Sequence, residues 1–167
     1  MPGLLIELLW LLPWCWTVNM SLNLLGYAKH IYPEFSRLDR AFDGRVRLPD
    51  GNRLLGDSTT WFGLVLVGAL GVFGEYAFAD HHFFLLAILT FFGHALGSFV
   101  KRRFGMQHGA YVPFVDHADY ILCVGLVFVV SGYLSVTAAF VALALTLVLT
   151  PLVTLSAFQL GLRARKF

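Results

Sequence analysis

Charge is what this sequence lacks. Of its 167 residues only 13% are charged while 58% are hydrophobic; a soluble domain carries about 25% charge. That balance excludes a water-soluble globule and leaves no room for a separate soluble domain beyond one loop. Cysteine is nearly absent too. Cys15 and Cys123 both fall in apolar runs without metal-ligand spacing, so they read as small core residues and imply no disulfide framework. No Lys or Arg precedes the first apolar run, which continues past Trp14 and Trp16 toward Tyr27. It therefore fails the pattern of a cleaved signal peptide and is taken as a first span. There is no internal repeat, no low-complexity tract and no Ser-His-Asp or Cys-His arrangement for nucleophilic catalysis. A nucleic acid is not among the expected partners.

What the chain does have is apolar length. Five segments, about 4–27, 60–79, 83–100, 118–133 and 135–160, are rich enough in apolar residues to be spans; about 20 helical residues cross about 30 Å of hydrocarbon. The expected fold is all-α: one integral-membrane domain over 1–167, a bundle of five transmembrane helices. Pro151 is expected to kink the last of them. Polar connections fall at about 28–59 and 101–117, with a basic tail. The two remaining connections, around Asp80-His81-His82 and Ser131-Gly132, are short and carry no Lys or Arg.

Basic residues set the orientation. Lys29, Arg37, Arg40, Arg45, Arg47 and Arg53 lie in the first loop, Lys101, Arg102 and Arg103 in the third, and Arg163, Arg165 and Lys166 at the end, which accounts for all 12. With five spans they share one side. The positive-inside rule makes that side cytoplasmic, with the N-terminus outside and the C-terminus inside an inner membrane. In the first loop Pro49-Asp50-Gly51 reads as a tight turn and "RVRLPDGNRLL" as a short hairpin.

The chemistry gathers at that same side. His94, Ser98, Lys101 and Arg102 follow helical spacing at the end of the third span, and intramembrane polar groups mark a site. Snorkelling to headgroups is the plainer account of the basic cluster alone. Asp116 and Asp119 stand one turn apart at the start of the fourth span. Paired so, carboxylates suit Mg²⁺, which keeps waters for a substrate phosphate to replace; helix capping is the competing account. Asp57, Ser58, Thr59 and Thr60 lead into the second span as cap or as part of a site. Glu75, deeper in that span, is expected to be a structural partner for a His or a neighbouring helix. Cations, carboxylates and a polar turn meeting at one interface suit an anionic, metal-bound phosphate compound.

From Leu38 to Leu126 the chain resembles the CDP-archaeol synthase family of membrane CTP-dependent cytidylyltransferases, relatives of the CDP-diacylglycerol synthases. The resemblance is carried by "RLDRAFDGRVRLPDGNRLLGDSTTWFG", "GHALGSFVKRRFG" and "PFVDHADYIL". It implies transfer from CTP to a membrane lipid phosphate, giving CDP-lipid and pyrophosphate in phospholipid synthesis. By the same resemblance Lys101, Asp116 and Asp119 would be catalytic, with Asp57, Thr60, Ser98, Lys101 and Arg102 around the nucleotide and its phosphates. Asp116 and Asp119 would hold Mg²⁺ (or Mn²⁺), with His94 as a further metal ligand. Three positions depart from the family pattern: Thr59 where Lys is usual, Phe62 where Arg is usual, and His94 in place of Asp. They support an alternative, a non-catalytic homologue that acts as a membrane binding or scaffold protein. A transporter fits less well, because the ionisable residues collect at one face rather than near the midplane.

Overall fold

A computed structural model describes residues 2–32, 34, 39–78, 82–106 and 112–159. Arg37, Arg163, Arg165, Lys166, Asp80 and His81, which entered the sequence argument, lie outside the described residues. The described chain is helical, in five elements: α1 (Pro2–Ile31), α2 (Trp61–Phe78), α3 (His82–Arg103), α4 (Pro113–Val130) and α5 (Val136–Gln159). Four of them are long and apolar enough to cross a membrane, over Gly3–Gly26, Trp61–Phe78, His82–Arg103 and Val136–Val153. α4 opens on a polar turn with Asp116 and Asp119 and is apolar from Tyr120 onward. α5 runs on through Pro151 as one helix.

The bundle has two chemically distinct ends. At one end Glu7 of α1 accepts hydrogen bonds from the Ser135 backbone and hydroxyl (2.9 and 2.8 Å), and Ser135 in turn caps α5 through the Ala138 N–H. Glu75 of α2 accepts from the Phe84 N–H at 3.4 Å, so it partners a helix neighbour across the α2–α3 turn. The opposite end collects the end of α1, the start of α2, the end of α3 and the start of α4. Every described Lys and Arg belongs to that end or to the loop that covers it.

Between the ends, packing is apolar and close. Leu11, Cys15, Leu86, Tyr120, Val124, Phe128, Ala138 and Ala142 form the main buried cluster, drawn from α1, α3, α4 and α5. Leu5, Leu9, Val65, Phe73 and Leu126 point outward and stay exposed, the pattern of a bundle whose solvent is hydrocarbon. Small residues set the helix spacing, since packing rather than the hydrophobic effect holds helices together in lipid. The tightest approach is α3 on α4. A Cβ on Gly93 would lie 2.4 Å from Tyr120 Cα, and one on Gly97 2.3 Å from Asp119 Oδ2.

Replacing Gly93 with Leu should therefore separate α3 from α4, because backbone rather than a movable side chain occupies the space. Overpacking of this kind costs about 1–3 kcal/mol or more. The detergent-solubilised variant should unfold at a clearly lower temperature, whereas Gly3→Leu, in open space, should not. Equal melting temperatures for the two variants would contradict this account of the α3–α4 contact.

Candidate active site

The polar end is built in two layers, one of helix ends and one of loop. In the helix layer α3 and α4 face each other through two acid–base pairs. Lys101 Nζ lies 2.5 Å from Asp116 Oδ1, and His94 Nδ1 lies 3.3 Å from Asp119 Oδ2. His94 and Lys101 are seven residues apart on α3 and Asp116 and Asp119 three apart on α4, so the pairs follow from helical spacing once the two faces are apposed. Gly97 lies beside the Asp119 carboxylate and, having no side chain, leaves it room.

Both carboxylates have further duties. Asp116 Oδ2 accepts from the Val112 N–H at 2.8 Å, closing the start of α4. One Asp116 oxygen thus serves the start of α4 while the other faces Lys101. Asp119 Oδ1 accepts from the Tyr120 N–H at 2.7 Å. Among the described residues no group of three or more His, Cys, Asp or Glu is placed to hold a metal ion. The donors fit a hard cation that brings its own phosphate and water ligands, for which one or two carboxylates suffice. They do not form an all-protein cage.

Residues 39–60 form the second layer. Asp43-Gly44-Arg45-Val46 makes a turn with Gly44 and Arg45 both at positive φ (57° and 63°) and the Val46 N–H bonded to Asp43 O at 3.1 Å, as a type I′ turn requires. Pro49-Asp50-Gly51 is the expected tight turn. It is closed by the Gly51 N–H on Leu48 O (2.9 Å), with an isolated antiparallel bridge of Arg47 with Arg53 flanking it. Asp43, its side chain fully buried, ties both turns together. Its carboxylate accepts from the Arg45 and Leu55 N–H groups (3.0 and 2.9 Å) and pairs with Arg53 at 2.9 Å. Burial pushes the Asp43 carboxyl up, but those N–H bonds and the Arg53 guanidinium outweigh it and hold the group below the usual carboxylate range.

Polar and aromatic contacts dock this loop on α2 and α3. The Gly56 N–H donates to Ser98 Oγ on α3 at 2.9 Å, and Arg103 at the end of α3 pairs with Asp50 at 2.6 Å and donates to Arg53 O. Phe42 packs on Trp61 and Phe91, with ring centroids 4.7 and 5.5 Å apart. Of the residues expected around a nucleotide, Ser98 is thus a loop anchor and Thr60 the cap of α2, accepting the Gly63 N–H at 3.2 Å. Asp57 pairs with Arg53 and is half exposed. Arg102 is buried and donates to Met106 O at 2.6 Å, beyond the end of α3.

One participant was not singled out from sequence. Lys29, in the last turns of α1, pairs with the buried Asp39 and lies 3.4 Å from Thr60 Oγ1. At about 1.5 Å per residue a helix as long as α1 outruns about 30 Å of hydrocarbon, and Lys29 stands past the Gly3–Gly26 apolar window. Its signal in the sequence was a lone Lys closing an apolar run, which a snorkelling anchor also shows.

A family model described as CarS-like, CDP-archaeol synthase, matches residues 75–167. The CDP-archaeol synthase of Aeropyrum pernix is 37% identical over 134 residues, covering 74% of this chain and 76% of that protein. That of Methanosphaerula palustris is 33% identical over 142 residues, covering 72% and 86%. That of Methanopyrus kandleri is 38% identical over 103 residues, but the match spans only 60% of its length and 56% of this chain. A solved structure of an intramembrane enzyme for archaeal membrane lipids biosynthesis is 30% identical, with a TM-score of 0.60 over 83% of this chain and 91% of that one.

The burial of Asp43 gives the loop a defined acid limit. A carboxyl whose folded pKa is depressed contributes stability above its unfolded value, about 3.9, and loses it as pH falls through the lower folded value. Hydrogen exchange across residues 46–55, corrected for intrinsic rates, should therefore show constant protection from pH 7 to about 4 and loss only below that. Asp43→Asn should leave the same amides unprotected at neutral pH. Unchanged protection in that variant would remove Asp43 from the centre of the loop.

Proposed function

The chain belongs to the CDP-archaeol synthase family and is a membrane cytidylyltransferase of lipid biosynthesis, and we propose that it couples CTP to a lipid phosphate at the polar end of its bundle. On this reading all five helices span the membrane, α4 included, and the polar end faces the cytoplasm. The observation that carries the assignment is the apposition of Lys101 and Asp116 beside His94 and Asp119. A cation and two carboxylates within one helix pair are what a phosphoryl-type transfer requires, since positioning and electrostatics carry most of that chemistry.

In the reaction an oxygen of the lipid phosphate forms a bond to the α-phosphorus of CTP, and the bond from that phosphorus to the β-phosphate oxygen breaks. The products are CDP-lipid and pyrophosphate. The acceptor is already anionic at neutral pH, so no general base is needed. Lys101 would leave Asp116 for the triphosphate, where its ammonium offsets the charge that grows on the departing pyrophosphate. Asp116 and Asp119 would hold Mg²⁺ (or Mn²⁺), which when bound neutralises phosphate charge. His94, beside Asp119, fixes that carboxylate's direction. Gly97 keeps the space it needs. The Arg53–Asp43 loop covers the site and limits water near the reacting phosphates.

The non-catalytic alternative rests on Thr59, Phe62 and His94. It is not favoured, because His94 retains a direct partner in Asp119 and the Lys101–Asp116 pair is complete.

Purified protein given labelled CTP, Mg²⁺ or Mn²⁺ and a panel of ether- and ester-linked lipid phosphates should release CDP-lipid and pyrophosphate. No product with any acceptor, while the Aeropyrum pernix relative works alongside, would leave only the non-catalytic alternative. Lys101→Ala and Asp116→Asn should each lower turnover by about a hundredfold or more, the scale for losing one partner of a desolvated charged pair. Both variants should remain folded in detergent, even if melting falls by a few degrees, so that the loss is read in turnover. Full activity in either variant would displace the site from the α3–α4 pair.

A further inference from the structure

The cations at the polar end are unequally placed. Lys101 belongs to the α3–α4 pair, Arg103 and Arg53 hold the loop, and Arg102 donates to a backbone carbonyl beyond the end of α3. On the α2 side of the site Thr59 is buried and uncharged and Phe62 is exposed, while Arg40, whose carbonyl accepts the Trp61 N–H, is itself exposed. Yet this is where α2 begins, and although its Trp61 and Gly63 N–H groups are taken by Arg40 O and Thr60 Oγ1, the positive pole of the helix dipole favours an anion. One ammonium reaches that place, and it comes from α1. Lys29 is held by Asp39, whose side chain is 3% exposed, and is the more accessible of the two at 16%. It also touches Thr60, the residue that caps α2.

We propose that Lys29 is the phosphate-binding cation on the α2 side of this site, supplying from α1 the charge that position 59 does not carry. The inference rests on the reading of the site as one for a nucleoside triphosphate. A lysine ammonium has three N–H donors. Asp39 and Thr60 account for two contacts, and a phosphate oxygen at the start of α2 takes another or replaces the Thr60 hydroxyl. Asp39 then serves as a holder. It fixes the flexible lysine stem beside the helix end, so that less freedom is lost on binding. Lys29 is a binding residue for the β- or γ-phosphate and makes no bond to the reacting phosphorus.

The test is a charge transplant. Binding of Mg²⁺–CTP and of Mg²⁺–tripolyphosphate would be measured by calorimetry on the detergent-solubilised full chain, with melting temperature recorded for every variant. Lys29→Met should weaken both ligands about ten- to a hundredfold, the scale of one charge-assisted hydrogen bond. Lys29→Arg should stay within about threefold. Adding Thr59→Lys to Lys29→Met should restore most of the lost affinity, an outcome that a merely structural lysine does not produce. If Lys29→Met does not fold, Lys29→Gln carries the same comparison. Wild-type affinity in the Met or Gln variant, or no rescue by Thr59→Lys, overturns the proposal for Lys29 and leaves the cytidylyltransferase reading intact. If the unaltered protein binds tripolyphosphate but not CTP, the nucleotide reading falls and Lys29 is judged on tripolyphosphate alone. If it binds neither, both fall.

Discussion

The polar end depends on one contact, the glycine-lined approach of α3 to α4. With Gly93 against the Tyr120 backbone and Gly97 against the Asp119 carboxylate, the two helices meet closely enough for side chains one turn apart to pair across them. A larger residue at either position would set the helices apart, and two direct ion pairs would become two separated charges. In hydrocarbon a separated charge is expensive, so packing and electrostatics support each other here. The Gly-xxx-Gly spacing that serves helix association elsewhere in membranes is, in this chain, also what gives the site its dimensions.

A second consequence is charge balance without a substrate. Lys29 faces Asp39, Arg53 faces Asp43 and Asp57, Lys101 faces Asp116, and Arg103 faces Asp50. Each of these four side chains is directed by a carboxylate of another element or loop segment. On the proposed function, an incoming triphosphate would compete with those carboxylates rather than with bulk water, and Asp116, once released, would be available to a divalent cation. Such an exchange would suit a site that takes up anion and metal together.

Much of this was legible in sequence. Apolar run lengths gave each helix to within a few residues at most ends, because a span has to match a fixed thickness. The basic residues gave a single polar end, and helical spacing put His94 with Lys101 and Asp116 with Asp119. Pairing between the helices was not legible, because spacing reports which residues share a face and says nothing of which face lies opposite. The same gap hid Asp43, whose partners Leu55 and Arg53 lie in another turn of an aperiodic loop. It also hid Lys29, whose partner Thr60 is 31 residues away. Ser98 and Thr60 were placed around the nucleotide by the family resemblance, and the structure gives each a further partner that resemblance does not name: the Gly56 N–H for Ser98 and the Gly63 N–H for Thr60.

The three departures from the family pattern can now be weighed as charges in a place rather than as mismatches in a motif. Thr59 and Phe62 each remove one positive charge and His94 removes one negative charge, a net loss of one positive charge. Lys29 stands against the α2 cap, beside the positions where both cations are missing. His94 stands where a second carboxylate would have faced Asp119, and two carboxylates that close repel each other unless a cation lies between them. A histidine there gives Asp119 a hydrogen-bonding partner in place of a second carboxylate. On the proposed function, the departures would describe a site whose charges are redistributed among α1, α3 and α4, with the phosphate-facing cations drawn from helices rather than from the loop.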